Sequence, residues 1–549
     1  MNMKKVKILF GIFLASLVIT ACVKDLDVRP KDPNSILSGN LGDDPAYMKQ
    51  VLGKIYASYI IAGQGANGGP DIDAPDENFF TTSRALWNLQ EITTDEAICA
   101  WGDVGIADLN TQTWSAQNPF LTALYQRLSL TITYANDFIR LTNGSSDTEV
   151  QRYNAEARFL RALAYYYHMD LFGNPPFTTD KDGVGKYYPT QLDENVGEAR
   201  KKLFNYIVSE LKTISPKLAS PGGVSTQANR AAAWMLLART YLNSEVYTGT
   251  AKWDSCKIYS DSVINSGAYS LATNYRQNFS ADNNYPVNPE MILAWEQDGI
   301  HTQGYVGTTF IIQSCSDATY IRAEDYHGLT SNTNWNGNRA RLQFVEQMRG
   351  LTNPGWTEGQ DLRELYPDDT RVFFKVKKDT DIPAASSSGD YGIGVYKFTA
   401  LNSDGSQPAN YNPAFACTDF PVFRLADAYM MRAEANFHLG NIDGALSDIN
   451  YVRDRAFQGG DFGQTPTNTY RLTSLTLDDI LKERGREFYY EAHRRTDLIR
   501  FGKFTGGSYL WQWKGGVKEG TATSEHLNLF PIPAAEVSAN PYITQNPNY

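Results

Sequence analysis

The sequence predicts a mainly α-helical fold in which paired helices support a loop-rich face, and three observations lead there. Apolar residues recur at helical spacing, as in Phe120 to Leu141, where Leu124, Leu128 and Ile132 share one side. Small residues recur in adjacent helical stretches. Ala428, Ala433, Ala435 and Ala445 lie in 423–439 and 442–456, on either side of Gly440-Asn441, and let two helices approach closely as in tetratricopeptide-type hairpins. Between such stretches, regions near 63–118, 274–350 and 379–416 are rich in Asn, Gly, Ser, Thr and aromatic residues. They read as long loops with short strands, the kind of segment that carries function, and their aromatic content argues for order.

In chain order, Met1 to Lys7 is basic and Ile8 to Ala21 is apolar but short for a membrane span. Leu17-Val-Ile-Thr-Ala-Cys22 is similar to the cleavage site of a bacterial lipoprotein. Residues 1–21 are therefore expected to be a signal peptide, with Cys22 acylated and several chains giving stable anchoring; an ordinary secretory signal cut elsewhere is the rival. Residues 22–41, with Pro30 and Pro33, read as a tether, and 42–549 as one large domain. Tyr47 to Ile61 reads as the first helix. Gln151 to Leu171, stopped by Gly173 and Pro175, follows the helix at Phe120 to Leu141, and the runs at Asn229–Asn243 and Trp253–Asn265 make a further pair. Spacing between the pairs is irregular, so a regular solenoid is not expected.

Composition excludes some functions. A formal net charge of -11, without a basic run in the mature part, argues against nucleic acid. Cys99, Cys256, Cys315 and Cys417 are scattered and imply neither zinc nor a dense disulfide framework. Gly63-Gln-Gly-Ala-Asn-Gly68 matches a dinucleotide loop, but Gly69-Pro-Asp71 breaks the chain where a helix would have to start. Metalloprotease, nucleophile-elbow and P-loop motifs are missing. Asp71, Asp73, Asp76 and Glu77 form an acidic loop, read first as solvated and second as a source of glycosidase carboxylates. His493 sits in 483–495, which reads as a helix laced with opposite charges.

The aromatic residues are more informative. There are 33 Tyr, 26 Phe and 10 Trp. Trp101, Tyr305, Trp335 and Trp356 fall in loop-like, Gly- and Asn-rich surroundings. A sugar ring has an apolar C–H face that suits an aromatic face, while its hydroxyls suit Asn, Asp and Arg. Residues 331–339, Ser-Asn-Thr-Asn-Trp-Asn-Gly-Asn-Arg, offer both. A turn with one anchoring Trp is the alternative there, and a buried Trp is the alternative for Trp101.

Several motifs together resemble the SusD/RagB family. They are Cys22 to Asp27, Thr94-Asp-Glu96, Glu156 to Ala162 with Asp170 to Gly173, and Phe423 to Tyr429 with Arg432-Ala-Glu434. Arg486 to Tyr489, Arg494 to Gly502 and the tail from Pro531 to Asn546 complete the set. The resemblance spans the chain from Cys22 to its last residues. It implies four tetratricopeptide-like hairpins under a loop-rich face, and no catalysis. It implies an outer-membrane lipoprotein facing the cell exterior that captures glycans for a SusC-like TonB-dependent transporter. Similarity to the starch-binding member of the family implies an α-glucan ligand, with Trp101, Tyr305 and Trp335 as an aromatic arc and Arg84 hydrogen-bonding the sugar. Two departures stand out. The polar residue expected after the first Trp falls to Asp103 or Val104. The places that match the starch-binding member's acidic calcium positions are Asn284, Cys417 and Asp419, which weakens the expectation of calcium. No cofactor is required on this reading. A different polysaccharide, a peptide, or a surface glycosidase remain the alternatives.

Overall fold

The computed structural model describes residues 42–63, 71–72, 81–183, 188–352, 354–463 and 469–549. The signal segment, Cys22, the tether, Gln64 to Gly68 and the acidic residues Asp73, Asp76 and Glu77 lie outside the described residues.

Eight helices form a continuous stack: α1 (Pro45–Ile60), α2 (Pro119–Thr142), α3 (Thr148–Leu171), α4 (Val196–Ile214), α5 (Arg230–Leu242), α6 (Trp253–Ile264), α7 (Leu425–His438) and α8 (Ile442–Ala456). Each packs on the next, so the stack resolves into the four consecutive pairs the resemblance implied. Helix starts are written locally. Asn118, Asp147, Asn195 and Asn229 each accept backbone N–H bonds as N-caps, and Pro119 opens α2 at a position where its missing N–H costs nothing. Helix α3 stops at Gly173, whose φ of +76° suits glycine. The small residues work as expected: Ala428, Ala433, Ala435 and Ala445 are fully buried where α7 meets its neighbours.

The intervening regions hold more structure than their composition predicts. Residues 307–315 form a helix, Gly307–Cys315, buried along its whole length, and Leu342–Arg349 forms another. The sequence reading of 274–350 as loops with short strands is corrected there. The error is physical: Gly-Thr-Thr-Phe-Ile-Ile has little amphipathic pattern because every face is covered. The helix expected over 483–495 is also broken. It runs Leu477–Phe488, turns through Tyr490 (φ +65°) and Ala492 (φ +61°), and resumes at Arg494–Arg500. The charges there do pair, as expected, Arg486 with Glu483 one turn away and others with partners distant in sequence. Glu487 accepts from Arg424, Arg455 and Arg371 in the interior.

Strands are short. β1 (Ile98–Cys99) pairs with β3 (Asn338–Arg339), β2 (Met291–Trp295) with β6 (Phe420–Arg424), and β4 (Phe374–Val376) with β5 (Ile393–Val395), all antiparallel. The four later cysteines are free, with Cys417 half-buried and the others buried. Among the described residues no helix is long and apolar enough to cross a membrane.

Candidate ligand-binding site

The site begins with two residues of ladder. Ile98 faces Arg339 and Cys99 faces Asn338, which fixes 98–101 against 335–339. The backbone N–H of Ala100 donates to Gly337 (2.9 Å), and those of Trp335, Asn336 and Gly337 donate to Gln313, Ser316 and Ser314 at the end of the 307–315 helix. Below, Asp95 takes both a 2.8 Å and a 2.6 Å bond from Arg494, and Glu96 accepts from the backbone of Tyr490. Arg341 donates to the carbonyls of Thr94, Ala97 and Asn110. Thr94-Asp-Glu96 is thus the rivet between the helical scaffold and the strand that ends at Trp101.

Three of the expected aromatic residues meet. The indole N–H of Trp101 donates to the carbonyl of Trp335 (3.1 Å), and the two rings lie 6.0 Å apart at 61°. Trp335 and Tyr305 lie 5.2 Å apart at 64°. Trp101 and Trp335 are half-buried and Tyr305 is 38% exposed, so the trio is supported from below and open from above. Trp101 is therefore neither the buried core residue nor the free-standing platform that its sequence left open. Arg84 lies underneath, 6% exposed, donating to the carbonyl of Tyr305 (3.0 Å) with its guanidinium 5.8 Å from the Trp101 ring.

Three further residues complete the arrangement. Phe310 carries the Arg84 guanidinium at 4.3 Å and meets Trp101 edge-on at 6.1 Å. Phe415 extends the row beyond Tyr305 at 5.5 Å and 38°. Gly337 seats Trp101: a Cβ there would lie 2.3 Å from the indole Cε2. The Trp-Asn-Gly order in 335–337 was the available signal for Gly337. Phe310 was hidden in a stretch read as loop, and Phe415 has no distinctive neighbours.

Other expected residues lie elsewhere or point outward. Trp356 meets Tyr366 edge-on at 6.4 Å rather than a ring of the trio. Asp103 is exposed and Val104 is 80% exposed, on the loop just after Trp101. Asn284 is exposed, Cys417 takes a bond from the Gly299 N–H (3.3 Å), and buried Asp419 accepts from the Gln297 N–H (2.8 Å). Burial pushes the Asp419 carboxyl up to about 8, the Gln297 bond opposes this, and Glu296 and Asp298 add to it. Among the described residues no three His, Cys, Asp or Glu side chains gather as a metal site. Asp71, the first residue of the acidic loop, is not a solvated carboxylate: it pairs with Lys54 at 2.8 Å and lies 3.8 Å from Arg127. His493 is half-buried, and desolvation above all lowers its pKa to about 3.

A helical stack carrying aromatic rings on short ladders is the architecture of one known class, and this chain belongs to the SusD family. The sequence model of that family matches residues 257–549. Over the full length of both chains it is 33% identical to the starch-binding protein SusD of Bacteroides thetaiotaomicron. It is 26% identical to the SusD-like protein P25 of Formosa agariphila, over 71% of each chain. Among solved structures, a SusD-like carbohydrate-binding protein from Bacteroides fragilis superposes with a TM-score of 0.68 at 18% identity, covering 92% of this chain and all of the other. The surface glycan-binding protein A of Bacteroides fluxus superposes with a TM-score of 0.63 at 19% identity, covering 92% and 99%.

Proposed function

We propose that this chain is a non-catalytic, lipid-anchored protein of the outer membrane. It faces the cell exterior, captures starch or related α-glucan oligosaccharides, and hands them to a SusC-like TonB-dependent transporter. The observation that carries the reading is the row Trp101, Trp335, Tyr305. Successive rings are tilted by 61° and 64°, so the three faces do not share a plane. A curved α-glucan, which does not present its C–H faces in one plane, suits such a row. The full-length likeness to a protein named for starch binding supports the same ligand. Arg84 stiffens the row from beneath through its bond to the Tyr305 carbonyl, and the family resemblance gives it a sugar hydroxyl as partner.

The glycosidase alternative is weaker because Asp71 is occupied by Lys54. Membrane attachment rests on Cys22, and Cys22→Ala should leave the membrane fraction and lose palmitate labelling. Calcium plays no part in this proposal, so chelation should leave glycan retention unchanged.

The test is a glycan panel in native affinity gels. Retardation by starch and amylopectin, with loss in a Trp101→Ala, Trp335→Ala double variant, is the expected result. Retardation by another polymer alone would move the ligand and leave the fold. Shortened maltooligosaccharides after incubation with the protein would replace binding with hydrolysis.

A further inference from the structure

Outside the ring trio, an open cavity of about 400 Å³ is lined by Arg276, Tyr326, Asp361, Arg363 and Tyr396, among others. That is room for a small polar ligand. None of these residues belongs to the aromatic row.

Arg276 is the unusual member. Its guanidinium donates to the carbonyl of Tyr326 (3.1 Å) and lies 5.2 Å from the Phe373 ring centre; Arg363 lies 5.1 Å from the same ring. Among the described residues neither arginine is in an ion pair, and the buried Nε of Arg276 has no hydrogen-bond partner. Burial and the neighbouring Arg363 charge both lower the Arg276 pKa. Buried charge is stable when paired, and a guanidinium fork matches a carboxylate; both arginines line this cavity.

The acidic residues at the cavity do not supply that partner. Asp361 accepts the Tyr396 hydroxyl (2.7 Å) and the Arg363 backbone N–H (3.0 Å). Asp325 and Glu364 also line the cavity; Asp325 lies 3.6 Å from Arg322, and both carboxylates are exposed. These carboxylates do limit the charge a ligand can carry. A phosphate, with nearly two negative charges near neutral pH, would be repelled more than a carboxylate with one. Tyr326 adds a ring face: it is half-buried, and Lys375 fixes its hydroxyl at 2.8 Å.

We propose that this cavity is a second binding site, for a sugar unit bearing a single carboxylate, with Arg276 and Arg363 on the carboxylate and Tyr326 beneath the ring. It would let the protein hold a uronate-bearing chain independently of the aromatic row.

Calorimetric titration of the purified protein with glucuronate, glucose and inorganic phosphate tests this. Glucuronate should bind, glucose and phosphate at least tenfold more weakly. Arg363→Gln, at an exposed position, should weaken glucuronate about tenfold, and Trp101→Ala should leave it unchanged. Arg276→Gln should remove it, with circular dichroism as the folding control. Glucose binding as tightly as glucuronate, phosphate binding more tightly, no glucuronate binding, or indifference to Arg363→Gln would each overturn the proposal.

Discussion

The helical scaffold and the aromatic face solve opposite problems. The scaffold buries its chemistry. Arg424 alone bonds Glu290, Glu487 and Glu491, each of them buried, and the small residues of α7 lie in closed contacts. The aromatic face leaves its rings open and holds them by a two-residue ladder, one indole N–H bond and one glycine. Removing a scaffold charge should therefore destabilise the protein, and removing a face ring should weaken binding in a folded one.

Glu487→Ala should have the largest effect. Burial would raise its pKa, yet Arg455, Arg424 and Arg371 hold it down at about 2. Its removal leaves three guanidiniums without that partner and should cost about 3–5 kcal/mol in denaturant unfolding. In the parent, the stability from this depressed pKa is fully present above the unfolded value of about 4.3 and is lost as pH falls towards about 2.

Trp101→Ala or Trp335→Ala should each cost roughly 2 kcal/mol of α-glucan binding if these rings act as hot spots, with the melting temperature almost unchanged. A comparable fall in stability would assign the rings to the core instead. Gly337→Ala sharpens the point, because it touches no ring chemistry. Its φ is unexceptional, so the methyl acts only by displacing the Trp101 indole. Binding by titration should fall nearly as far as in Trp101→Ala; retention of parental affinity would show that the seat is dispensable.

For Asp419→Asn the size of the effect depends on pH. Between its ordinary value near ~4 and about 8, the folded protein holds a proton that the unfolded chain has released. Stability contributed by this residue falls as pH rises through that window. The variant should melt above the parent at pH 8 and converge with it at pH 4. An unchanged difference across that range would remove the linkage.

Periodicity marked the helix pairs well because their pattern is local: a cap, an apolar stripe, a glycine stop. It failed at Gly307–Cys315, where complete burial erases the stripe. Within the site, Trp101, Tyr305 and Trp335 stood out as aromatics among turn residues, and family likeness grouped them with Arg84. Phe310 and Phe415 carried no such mark, since a phenylalanine in a row of rings looks in sequence like any core residue. Trp356 carried the same local mark as the others and yet partners Tyr366.

Sequence alone determined the helical class, the acidic balance that excludes nucleic acid, the family, and which aromatic residues were worth following. Each depends on residues close in the chain or on motifs that need no geometry. Tertiary structure decided that Arg494 anchors Asp95, that Gly337 leaves the space Trp101 fills, and that Arg84 sits beneath the rings. Those contacts join residues hundreds of positions apart, and neither the tilt between two rings nor the clearance over a glycine is encoded in any local pattern.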